Sequence, residues 1–117
     1  MAAVSKSKNV SKAKGVRAEF TEYDRRVGQA FSLHIAGKAE AAIAEFEKLV
    51  DECQDHIDAN YGLALAYKAA KQHDKAREQF QKVRQYIEAE RAKQASDDTA
   101  RFQMLLRMID QHLATLS

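Results

Sequence analysis

The chain has 117 residues, 45% of them apolar and 31% charged, with no proline, four glycines, a single cysteine and a formal net charge of +2. That length allows one domain with a usable core and excludes a second, and the scarcity of helix breakers favours long, nearly continuous helices. No apolar run is long enough to cross a membrane and no apolar segment follows the early lysines, so neither a span nor a secretory leader is expected.

Residues 1–18 carry Lys6, Lys8, Lys12, Lys14 and Arg17 ahead of the first acid, Glu19, and only scattered valines. Such a segment cannot bury enough apolar surface to offset its ordering, and a flexible basic arm is expected. With five of the 19 basic side chains in the arm and all 17 acidic ones beyond it, the remaining body is mildly acidic. Cys53 has no second cysteine to pair with, which points to a reducing, cytoplasmic setting.

The first helix is predicted to begin after Thr21, with Asp24 three residues on to complete a capping box. Apolar residues recur at helical spacing through Val27, Ala30, Phe31, Leu33 and Ile35, and Gly37 ends the helix in a left-handed cap. A second helix follows over 39–52, with Ala42, Ile43, Phe46, Leu49 and Val50 on one face. Asp55 and Asp58 stand where helix-initiating acids belong, ahead of a third helix over 57–71. The fourth begins near Asp74, turns Ala76, Phe80, Val83 and Ile87 inward, and meets no stop signal before Ser96. A last helix over 98–115 places Phe102, Leu105, Leu106, Ile109, Leu113 and Leu116 within one arc.

The first two helices repeat in the second two with a period of 34 residues and no gap. Gly28 falls on Gly62, Ala30 on Ala64, Leu33 on Tyr67, Ala42 on Ala76, Phe46 on Phe80 and Leu49 on Val83. A fixed period with small residues and an aromatic in register marks stacked helical hairpins, none of which can bury its apolar face alone. The register lapses in the fifth helix, where Asp110 occupies the place of the alanine, so that helix is expected to cap the open end.

These residues resemble the tetratricopeptide repeat family. The places of its small residues, aromatics and glycine hold Ala30, Ala42, Leu33, Phe46 and Gly37 in the first repeat, and Ala64, Ala76, Tyr67 and Phe80 in the second, with Lys71 in place of the second glycine. Gln54 and Glu88 replace the family's closing proline, and Arg26 and Asn60 replace its large early aromatic. The resemblance implies an all-α fold of about five helices: a right-handed solenoid of antiparallel hairpins. Its domain covers 19–117, with repeats over about 23–56 and 57–90 and a cap over about 97–116.

The resemblance also implies a concave groove lined by the first helix of each hairpin. The groove residues here are Val27, Phe31, Ile35, Tyr61, Leu65 and Lys68, with Gly28 and Gly62 leaving room for close approach. Members that clamp a C-terminal carboxylate place lysine and asparagine where this chain has Val27, Phe31 and Gly62, so that clamp is absent. The i, i+4 apolar stripe instead suits an amphipathic or extended segment of another protein.

Met104 and Met108 lie outside the apolar arc of the last helix, where they form a second contact, a homo-oligomer seam or peripheral packing. His34, His56, His73 and His112 lack metal-ligand spacing, Cys53 lacks an activating partner, and no phosphate loop is present. No metal, cofactor or enzymatic activity is therefore expected. The leading expectation is a non-catalytic adaptor or assembly subunit. The alternatives are a nucleic-acid- or ribosome-associated protein held by the arm, which lacks an aromatic for base stacking, and a self-assembling scaffold.

Overall fold

The computed structural model describes residues 21–93 and 99–116, and within them every regular element is a helix. They are α1 (Glu22–Ile35), α2 (Ala39–Glu52), α3 (Ile57–Ala69), α4 (His73–Lys93) and α5 (Thr99–Leu116). Consecutive helices pack on one another, and α1 also touches α3. The five basic residues expected to form the arm lie outside the described residues, as does the stop signal expected at Ser96.

Local chemistry sets most helix ends. Thr21 caps α1: its hydroxyl accepts from the Asp24 amide while the Asp24 carboxylate accepts from the Thr21 amide, closing the capping box. At the other end Gly37 sits at φ 81°, its N–H donating to the His34 carbonyl, while Lys38 N–H donates to that of Leu33. This pair of bonds is a Schellman motif. One period later Lys71 takes φ 64° and the same two bonds form, from Lys71 to Lys68 and from Gln72 to Tyr67. The third helix therefore stops at Ala69, short of the expected Lys71, because residue 71 must turn left-handed to close the motif.

The start of α3 departs from expectation. Neither Asp55 nor Asp58 caps it; His56 does, its Nδ1 accepting from the Ala59 amide at 3.1 Å. Asp55 stands one residue too early and instead faces the Cys53 thiol, whereas Asp58 lies in the first turn, where it meets the positive end of the helix dipole.

The core follows the repeat. Ala30, Ala64, Ala42, Ala76, Phe46 and Phe80 have no exposed surface, and Leu49 and Val83 are buried with them. Alanine brings the helices of each hairpin close, and the phenylalanine one turn on fills the space beside the crossing. α4 runs 21 residues against 14 for α2, and its added two turns carry the packing surface past the end of the hairpin. There Phe102, Leu105, Ile109 and Leu116 of α5 are buried, with Leu106, Met108 and Leu113 half-buried around them. This is the burial that two hairpins lack by themselves.

Where the aromatic of the family pattern is missing, two other devices act. Arg26 forms a two-pronged ion pair with Glu52 at 2.8 and 2.7 Å, and nearby the Tyr23 hydroxyl donates to the Leu49 carbonyl at 2.7 Å. In the second hairpin the buried Asn60 amide donates to the carbonyls of Gln54 and His56 at 2.9 and 2.7 Å and accepts from Gln79 at 2.6 Å. That network ties the α2–α3 turn to α4.

Gly28 and Gly62 are equivalent in register but not in surroundings. A Cβ at residue 28 meets nothing within 4 Å, whereas one at residue 62 overlaps the buried ring of Phe46 and comes within 3.0 Å of Phe31 Cζ. Gly28→Ala should therefore stabilise the protein by about 1 kcal/mol through helix propensity, while Gly62→Ala should destabilise it by about 2 kcal/mol through overpacking. Chemical denaturation of the two variants decides this, and equal effects contradict it. By the same method Lys71→Gly should gain about 1 kcal/mol by relieving the left-handed residue. An unchanged midpoint tells against that reading.

Candidate protein-binding face and the helix that covers it

The expected groove residues lie on α1 and α3, and the structure treats the two helices differently. On α1, Val27 is buried at 7% exposure, Phe31 is half-buried and Ile35 is 82% exposed. The Phe31 ring meets Phe46 edge-on at 5.0 Å between centroids, so its outer edge alone faces away from the core. Val27 supports the face from beneath. Gly62, expected to leave open space, is filled by the rings of Phe46 and Phe31.

On α3, Leu65 and Lys68 are half-buried and Tyr61 is 8% exposed. Tyr61 packs edge-on against Phe80, and α5 lies over both. His112 of α5 stacks flat on Phe80, with centroids 4.7 Å apart and planes 8° from parallel. Its Nε2 is 3.3 Å from the Tyr61 hydroxyl, and its Nδ1 is 2.9 Å from Lys68 Nζ. An ammonium can only donate, so Nδ1 carries no proton and the ring is the neutral Nε2–H form, donating to the Tyr61 oxygen. Lys68 also donates to Thr115 Oγ1 at 3.0 Å. Lys68 and Tyr61 are thus engaged inside the chain, and the second hairpin's share of the expected groove is occupied by the capping helix.

What stays open is the end of α1 around Ile35, with Phe31 and, across on α3, Leu65. His34, in the register place of Lys68, makes none of these bonds, and its Nδ1 is buried without a partner. Met104 is 53% exposed on the outer side of α5, whereas Met108 packs on the core, so the two methionines do not share one open surface.

His112 is the residue that sequence reasoning passed over as an ordinary helix histidine. Nothing within α5 marks it; its partners lie on α3 and α4, 32 to 51 positions away in the chain. Burial, and after it the Lys68 charge, lowers its pKa below the usual histidine value.

A separate cleft of about 510 Å³ lies between the α2–α3 turn and the start of α5, lined by Cys53, His56, Asp58, Arg101 and Phe102 among others. Asp58 and Arg101 neutralise one another there at 2.7 Å. Burial, then the neighbouring Asp55, raises the Cys53 thiol above its ordinary pKa, which keeps it protonated and poorly nucleophilic at neutral pH. Among the described residues no group of three or more His, Cys, Asp or Glu side chains is placed to hold a metal ion, and no helix is long and apolar enough to cross a membrane.

A tetratricopeptide repeat family model matches residues 33–109, from the last turn of α1 into α5. No curated protein and no solved structure gives a match. Repeats of this kind are generally protein–protein interaction modules and typically non-catalytic. The matched span takes in both hairpin turns, the two alanine crossings and the start of the cap, and the chain belongs to the tetratricopeptide repeat family.

Proposed function

We propose that this protein is a non-catalytic adaptor or assembly subunit that captures an apolar or amphipathic segment of another protein on the α1–α3 face. The observation that carries this reading is Ile35, a large apolar side chain left 82% exposed at the open end of α1. Phe31 and Leu65, both half-buried, extend the same face towards the core. An isoleucine in that position gains nothing for the fold, but it gains about 1.5–3 kcal/mol when a partner covers it. Tyr61, Lys68 and Val27 act as the support of the face. The half-buried thiol of Cys53 is compatible with a reducing, cytoplasmic setting.

Ile35→Glu tests this without disturbing the core. Its stability should stay within about 0.5 kcal/mol of the parent, as for other exposed positions. Proteins captured from native extract by the tagged parent chain, identified by mass spectrometry, should be lost or bound at least about tenfold more weakly by the variant. Equal capture by both chains removes this face as the docking surface.

The segregation of charge favours a second reading, in which Lys6, Lys8, Lys12, Lys14 and Arg17 anchor the chain to nucleic acid. If all five meet phosphates of a duplex, affinity should fall by two to three orders of magnitude between about 50 and 200 mM salt. Removal of residues 1–18 should abolish that binding and leave capture through Ile35 intact.

A further inference from the structure

We propose that α5 is an acid-released lid on the α3–α4 face, with His112 as its switch. The contact that holds α5 down at this point is polar and works in one protonation state alone. Nδ1 must stay unprotonated to accept from Lys68, and Nε2–H is spent on Tyr61. A second proton on the ring lands on Nδ1, removes the acceptor and sets an imidazolium against an ammonium in direct contact.

Among the described residues no acid acts on the ring to compensate for that charge. From α3 the ring faces Tyr61 and Lys68; from α4 it faces Phe80, while Arg77 and Arg84 of that helix bond α5 on either side of the ring. Arg77 is taken up by Asp74 and the Leu116 carbonyl, and Arg84 is paired with Asp110, the acid two residues before His112. Thr115 of α5 is already bonded to Lys68 and the His112 carbonyl. Stacking on Phe80 does favour a cation on the ring. The like charge of Lys68, at hydrogen-bond distance, and the half-buried position of the ring oppose it more strongly.

The sign follows from linkage. The docked ring holds its second proton less tightly than the free one, so an undocked α5 binds more protons. Docking is at full strength above the free histidine value of about 6.5 and weakens as pH falls through it and on through the lower docked value. Releasing α5 uncovers Tyr61, Phe80 and Lys68 together, a mixed apolar and cationic surface continuous with Leu65.

Amide hydrogen exchange of the full chain at pH 7.5 and 5.0, expressed as protection factors, tests the proposal with no partner present. Protection of α5 should fall relative to α1 and α2 at the lower pH, by up to about tenfold for each unit by which docking displaces the titration. His112→Phe, which keeps the stack and cannot titrate, should show no such relative loss. Lys68→Gln, which removes the like charge, should show a smaller one. Equal relative protection of α5 in the parent at both pH values overturns the proposal. An undiminished acid loss in His112→Phe overturns it too, since it assigns the effect to a group other than His112. If His112→Phe does not fold, Lys68→Gln decides: a loss as large as the parent's tells against the switch.

Discussion

The ring of Phe46 lies where a Cβ of residue 62 would sit, and the stacking of the two hairpins depends on that missing carbon. Through it a side chain of the first hairpin enters the wall of the second with no exposed surface, and Phe31 is drawn in edge-on behind it. Interiors are close-packed, so one methyl group at this point must be answered by movement of a whole ring. The α1–α3 contact, and with it the shape of the face between these helices, follows from this one close approach.

The same geometry creates a difficulty at the far end. Phe80 is the counterpart of Phe46, but α5 does not repeat the glycine that would receive it. The chain covers the exposed end with α5, and over Phe80 it lays an imidazole instead of an aliphatic side chain. An apolar cover would hold at any pH. A histidine seated against a lysine holds only while it is neutral, so the seal of the second hairpin is conditional where that of the first is not. Sealing the end also closes the α3 side of the face, leaving the α1 side with Ile35 open.

Polar networks replace the usual large aromatic in both hairpins, and they differ in depth. Arg26 and Glu52 meet in a partly exposed position, where solvent screens an ion pair and its contribution is small. Asn60 is buried, and its amide bonds two turn carbonyls, those of Gln54 and His56, and the Gln79 amide. Losing such a residue exposes the desolvation cost of its partners. The α2–α3 turn is therefore held more firmly than its composition suggests.

What could be read from residue order alone is whatever depends on local chemistry or on the period. The capping box at Thr21 and Asp24, the left-handed turn at Gly37, the buried alanine–phenylalanine pairs and the overrun of α4 all belong to that class. Helix caps and apolar periodicity act over a few residues, and a repeat of 34 carries those relations from one hairpin to the next. Lys71 was legible in the same way, as the place where glycine is required and absent. Exposure was not legible, because it is decided by neighbours distant in sequence. Gly28 and Gly62, or Val27 and Ile35, look alike along the chain and part company only when Phe46 fills one site and nothing covers another. His56 as a cap, Asn60 as a tie and His112 as a clasp were hidden for the same reason: a polar side chain takes its role from the groups folding brings to it. Sequence determined the helices and their stacking, through local geometry and period; tertiary structure alone decided which part of the face is open and what holds the rest closed.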